Sequence, residues 1–183
     1  LKRAVRKGIP VVGVCGGYQM MGAVIRDPQL IEGSEREVRG LGLLDIETCF
    51  EEPKITCQVR ARVKKGNFPF STGGDELRGY EIHMGRSEGD IGLFDIRRIP
   101  QGEGVSDGAM KGNCWGTYIH GIFDNDPLRW SIINQLRIKK GLREAKNLIN
   151  YHKYRDEAID RFTDRIIEHL NVDYILKSIF QPV

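Results

Sequence analysis

Apolar residues fall along this chain in three styles. The first is a short unbroken run, Val11-Val12-Gly13-Val14, bounded by Pro10 and broken by Cys15-Gly16-Gly17. Such a run suits a central parallel strand buried on both faces. Leu1 to Lys7 reads as a helix stopped by Gly8-Ile9-Pro10. Tyr18 to Ile25 resumes helical character, with apolar residues at 18, 20, 21, 24 and 25. Helix, strand, sharp turn and helix in that order is the logic of an α/β fold.

The middle changes period. Ile55, Cys57, Val59, Ala61 and Val63 alternate with polar residues, as in a strand with one wet face. Leu77 to Met84 and Leu93 to Ile99 predict further strands, so residues 40 to 112 read as largely antiparallel β. Trp115 to Ile119 is one more apolar strand, and His120 ends it. The rest is helical. Asp126 is the expected N-cap of a helix with Pro127 at its first position, running to about Lys140 with Gly141 as its stop. Ala158, Ile159, Phe162, Ile166, Ile167 and Leu170 recur at helical spacing over 155–170. A last short helix covers Tyr174 to Phe180. With no repeat and no low-complexity linker, 1–183 reads as one domain.

Composition excludes more than it assigns. Of 183 residues, 40% are hydrophobic and 29% charged, with a net charge of +3. No apolar run approaches the roughly 20 residues of a membrane helix. The basic residues are mixed with acidic ones, so no nucleic-acid stripe is expected. The cysteines at 15, 49, 57 and 114 form no C-x-x-C pair or zinc spacing, so no metal is expected. No secretory signal is visible, which suggests reduced thiols and a cytoplasmic location. The chain starts at Leu1 and enters a buried-looking strand almost at once, which reads as a fragment.

The candidate chemistry lies in Gly13-Val14-Cys15-Gly16-Gly17. A nucleophile elbow is a strand-to-helix turn of form G-x-Nuc-x-G, with the nucleophile in strained backbone at the tip. There the helix N-terminus favours a thiolate, and the Gly16 N–H can help bind an oxyanion. A structural turn with a buried Cys has the same five residues. A nucleophilic Cys needs a base. His152 and His169 lie in the helical tail and read as surface residues. His120 ends a strand, where α/β sheets keep their sites.

With Tyr18-Gln19 added, the elbow resembles the C-x-G-x-Q signature of class I glutamine amidotransferases. Two further segments narrow the likeness: Gly79-Tyr80-Glu81-Ile82-His83-Met84-Gly85-Arg86 and Trp115-Gly116-Thr117-Tyr118-Ile119-His120-Gly121-Ile122-Phe123-Asp124-Asn125. Together with the helical tail they resemble the glutaminase domain of the cobyric acid synthases over nearly the whole chain. The resemblance implies a flavodoxin-like parallel or mixed sheet flanked by helices, with the antiparallel portion in its middle. It implies Cys15 as nucleophile and His120 as base, with Gly16, Gln19, Tyr80 and His83 bordering bound glutamine. It also implies ammonia delivered to a synthetase domain that uses ATP and Mg²⁺, for amidation of the b, d, e and g carboxylates of a corrinoid, adenosylcobyrinic acid a,c-diamide. No cofactor is implied for the glutaminase domain itself.

Two departures bear on that likeness. Many class I enzymes have His-x-Glu, with Glu orienting the base, whereas Ile122 stands here. Asp124 and Glu81 are the candidates for the orienting role. The synthetase half is not read in this sequence either, with no G-x-x-x-x-G-K-[ST] loop, and neither are the first strands that the resemblance implies for the domain. Alternatives are a cobyrinic acid a,c-diamide synthase-type glutaminase, a thiol hydrolase without ammonia transfer, and a non-catalytic remnant that binds a partner.

Overall fold

The opening pattern is realised: Lys2–Arg6 is a helix (α1), Val11–Val14 a strand (β1) and Gly16–Met21 a helix (α2), with Cys15 at the turn between them. The computed structural model describes residues 1–64, 68–74, 76–100, 102, 104–146 and 149–180. Cys114–Thr117 (β11) lies parallel to β1, pairing Val11 with Cys114 and Gly13 with Gly116, and Ala109–Lys111 (β10) pairs antiparallel on its far side.

The predicted helix through Ile25 is a correction. It ends at Met21, because Gly22 is extended (φ −67°, ψ −177°) and turns the chain into a strand, Val24–Arg26 (β2). That strand joins Glu37–Arg39 (β3), Ile46–Cys49 (β4) and Arg86–Gly89 (β7) in a sheet of order β3-β2-β4-β7. Short strands of this kind carry too little alternation to be seen in sequence.

The third sheet has the order β6-β5-β8-β9, from Ile55–Val63 (β5), Leu77–His83 (β6), Phe94–Ile99 (β8) and Gly104–Asp107 (β9). Every pairing in it is antiparallel. The period-2 reading holds: Val59 and Ala61 are buried, while 58 and 62 do not turn into the core. The α/β class therefore stands. Among the described residues the parallel pairing is confined to β1–β11 and β2–β4, so the expected sheet is divided into three.

Asp126–Lys139 (α3) buries Leu128. Asn125, not Asp126, occupies its N-cap position, and the Asn125 side chain is turned away to a task described below. The tail helix is Tyr151–His169 (α4), four residues earlier than predicted, because Asn150 accepts a hydrogen bond from the Lys153 N–H at 2.9 Å. Val172–Phe180 (α5) follows. Neither α4 nor α5 has a buried residue.

Two apolar clusters hold the body together. One joins β5, β6 and β8 to β11 and α3 through Val59, Leu77, Phe94, Trp115, Ile119 and Leu128. The other packs α2 on β4 and β11 through Tyr18, Met21, Leu44, Ile46 and Tyr118.

Candidate active site

Cys15 has φ 53° and ψ −119°, one of two non-glycine residues with positive φ among the described residues. Such backbone costs on the order of 1–3 kcal/mol and persists only where its surroundings impose it. They do so here. The Cys15 N–H donates to Thr117 O at 3.0 Å, which extends the β1–β11 pairing by one residue. Cys15 O accepts from the Gln19 N–H at 3.1 Å, the first bond of α2. Gly13 and Gly116 allow the close crossing. A Cβ on Gly13 would meet Gly17 O at 2.7 Å, and one on Gly116 would meet Tyr18 Cδ2 at 2.5 Å. Gly16 begins α2 and is exposed, with open space in front of it, and its N–H has no partner within the helix.

β6 is the edge strand of its sheet, and its outer edge docks on the site at every second residue. Asn125 Nδ2 donates to Arg78 O at 2.9 Å and its Oδ1 accepts from the Arg78 N–H at 2.8 Å, so a side chain imitates strand pairing. Next, the Tyr80 N–H donates to His120 O at 3.1 Å and the His120 N–H to Tyr80 O at 2.8 Å. Then Ile82 O accepts from Cys15 Sγ at 3.5 Å. Strand residues two apart are separated by about 7 Å. Cys15 and His120 thus lie at neighbouring stations along one strand. The approach is tight enough to require Gly79, where a Cβ would collide with His120 O and Ile119 Cγ2.

The Tyr80 and His120 rings stack 4.9 Å apart at 12°. His120 Nε2 is buried and has no hydrogen-bond partner among the described residues, so its lone pair or proton is not committed elsewhere. Ile122, in the position of the usual orienting Glu, is 1% exposed and belongs to the core. Glu81 is engaged on the opposite face of β6.

That opposite face carries a buried polar network. Arg98 Nε donates to Glu81 Oε2 at 2.7 Å. The His83 ring lies between Glu81 Oε1 (Nε2, 3.3 Å) and Gly85 O (Nδ1, 3.1 Å). Both partners are acceptors, one facing each ring nitrogen. Burial alone would raise the Glu81 pKa. The hydrogen bonds and charges of His83 and Arg98 outweigh it and hold the carboxyl at about 2. His83 also stacks on Tyr118, 3.7 Å between centroids. Gln19 Nε2 donates to Met84 O at 3.0 Å and to Tyr118 Oη at 3.1 Å, and Ser87 Oγ shares a 2.8 Å bond with the same hydroxyl. Asp107, beneath, is pushed up to about 6 by burial, against the hydrogen bonds from Thr117 and the Tyr118 N–H.

Of the residues read from sequence, Cys15, Tyr80 and His120 gather at the outer edge of β6, with Gly16 following Cys15 at the start of α2. Gln19 and His83 lie instead in the buried network that fixes β6 against α2. A cleft of about 730 Å³ opens beside that network, with Glu81, His83, Arg98, Asp107 and Tyr118 in its wall. Cys15 and His120 do not line it. Asn125, Gly79 and the Ile82 carbonyl were missed as site parts. Asn125 and Gly79 stand in the segments quoted above, but only the edge pairing gives them a task.

Residues 1–128 match the CobB/CobQ-like glutamine amidotransferase domain. The cobyric acid synthase of Syntrophobacter fumaroxidans is 44% identical over 182 residues, 95% of this chain. Those of Clostridium tetani and Thermodesulfovibrio yellowstonii are 40% and 39% identical over 92% and 96% of it. The chain spans about a third of the length of these relatives, 34–35%.

Proposed function

This chain belongs to the CobB/CobQ-like glutamine amidotransferase family, and we propose that it is the glutaminase part of a cobyric acid synthase. The single observation behind the chemistry is the edge of β6, which seats the strained Cys15 and the uncommitted His120 ring at adjacent stations. Cys15 and His120 are the nucleophile and base of this reading.

His120 takes the thiol proton, and the thiolate attacks the side-chain amide carbon of glutamine. The C–S bond forms as the carbonyl π pair moves onto oxygen, and the C–N bond breaks only when the resulting tetrahedral species collapses to the thioester. The Gly16 N–H stabilises the oxyanion of the tetrahedral species, and His120 returns the proton to the departing ammonia. Water activated by the same imidazole then cleaves the thioester to glutamate and the free thiol. Tyr80 fixes the His120 ring by stacking, where other class I enzymes use a carboxylate. In that setting His120 needs no acid at position 122.

The ammonia would serve ATP- and Mg²⁺-dependent amidation of corrinoid carboxylates on the portion of the relatives that this chain does not span. No helix among the described residues is long and apolar enough to cross a membrane, and a cytoplasmic setting fits the reading. The test is glutamate release from glutamine by the wild-type protein against Cys15→Ala and His120→Ala. Loss of at least a thousandfold in both supports the dyad. A Cys15→Ala protein that still releases glutamate at the wild-type rate would sink it.

A further inference from the structure

The outward face of the β6-β5-β8 sheet carries two rows of side chains, of which only Tyr80 serves the reaction at Cys15. In the first row Arg60 of β5 lies directly opposite Arg78 of β6 on one side and Arg97 of β8 on the other. Cross-strand neighbours stand only about 4.5–5.5 Å apart at Cβ, and like charges placed so repel. Among the described residues of this face, Glu76 pairs with Arg62 at 3.0 Å and Asp95 with Lys64 at 3.2 Å. No ion pair to Arg60, Arg78 or Arg97 occurs among the described residues.

The second row is apolar. Gln58 faces Tyr80 on one side and Ile99 on the other, and Ile82 follows Tyr80 along β6. Tyr80, Ile82 and Ile99 are 42%, 37% and 39% exposed. Exposed aromatic and aliphatic side chains beside arginines with no ion pair among the described residues are the composition of a protein interface, not of a plain solvated face. The apolar row also runs into the site, because the Tyr80 ring stacks on His120. At the arginine end a cleft of about 610 Å³ is lined by Arg60, Arg78 and His152 together with Glu76 and Asp126, which are paired to Arg62 and Arg129.

We infer that this face is the docking surface for the ammonia-consuming part of the synthase, which meets it with an acidic patch beside an apolar one. The inference rests on the reading that ammonia is released at Cys15. Two facts favour that occupant. The relatives are about three times as long as this chain, so most of their length lies outside it. The face also adjoins the place where ammonia leaves, which is where an acceptor has to sit. The arginines would draw the acidic patch into register, and Tyr80 and Ile82 would seal the junction from water.

The test uses the complete native polypeptide and three rates: glutamine hydrolysis, amidation fed by glutamine, and amidation fed by ammonium chloride. Arg60→Glu with Arg97→Glu lowers glutamine-fed amidation at least fivefold and leaves the other two rates unchanged. Arg60→Gln with Arg97→Gln, which removes the repulsion and keeps the fold, shows a smaller loss of the same selective kind. In the wild type, raising salt from about 50 to about 500 mM, which screens exposed charges, gives that selective loss as well. Unchanged glutamine-fed amidation in both variants overturns the inference. So does a parallel loss of hydrolysis, which would assign the arginines to the glutamine site. A dimer that the variants dissociate would make a second copy the occupant, and that too overturns it. Because hydrolysis is read separately, failure of the Cys15 reading shows in the wild type, and failure of the docking surface only in the variants.

Discussion

Tyr80 and His120 are joined twice, by a reciprocal pair of backbone hydrogen bonds and by rings stacked 4.9 Å apart. The backbone bonds set where His120 sits, and the stacked ring limits how its imidazole turns. Tyr80→Phe keeps both and leaves turnover within about twofold of wild type. Tyr80→Ala keeps only the backbone bonds. Its kcat falls roughly 10- to 100-fold, about 1.4–2.8 kcal/mol of barrier. The pH profile of turnover shifts, while KM for glutamine changes little. Since Tyr80 is 42% exposed, thermal stability drops by less than about 1 kcal/mol. A purely structural Tyr80 would move stability and leave the pH profile in place.

The backbone at Cys15 stores strain that only glycine escapes. Cys15→Ala and Cys15→Gly both abolish hydrolysis, yet their stabilities differ. Alanine keeps a Cβ at φ 53°, ψ −119°, whereas glycine tolerates positive φ. Cys15→Gly is expected to melt at or above Cys15→Ala, by up to about 2 kcal/mol after the entropy that glycine costs. Chemical denaturation of the two variants measures it. An alanine variant clearly more stable than the glycine one would mean that the elbow is not strained.

Gly116 and Gly13 face each other across β1 and β11 under the elbow. A methyl on Gly116 would press on the Tyr18 ring at 2.5 Å, and Tyr18 is fully buried. Gly116→Ala therefore costs about 1–3 kcal/mol through overpacking. Activity falls as well, because Tyr18 follows the elbow on α2. Gly16→Ala is the control for stability, since nothing lies within 4 Å of a Cβ there.

Glu81 ties the fold to pH. Its carboxyl is depressed from the usual 4.5 to about 2 in the folded protein by His83 and Arg98. A depressed acid contributes stability above its unfolded value and loses it as pH falls through the folded one. The contribution is therefore complete above about pH 4.5 and fades toward pH 2. Glu81→Gln removes it: the variant is less stable at neutral pH, and its acid denaturation between pH 4.5 and 2 is shallower than that of wild type. Equal slopes across that window would show that the ion network does not hold the charge.

Sequence periodicity carried the elbow, the long strands β5 and β6 and the helices from α3 onward, because each has enough residues to show its period. The short strands β2, β3, β4 and β7 have three or four residues and show none. Cys15 and His120 are read together because a thiol after a parallel strand and a histidine just past the end of its neighbour fit one chemistry. Glu81, offered as an orienter of His120, lies on the wrong face of β6, and strand alternation already separates residues 80 and 81. Asn125 could not be read at all. Its side chain imitates a strand partner for Arg78, a task set by where β6 passes and not by any local pattern.

The measurement that tests the central claim most directly is covalent labelling with a diazo-ketone analogue of glutamine, located by peptide mass spectrometry. The account predicts one label, on Cys15, with Cys49, Cys57 and Cys114 unmodified. Free glutamine suppresses it, and His120→Ala slows it at least tenfold. A label spread over several cysteines, or one on Cys15 that neither glutamine nor His120→Ala affects, would contradict a Cys15–His120 glutaminase site.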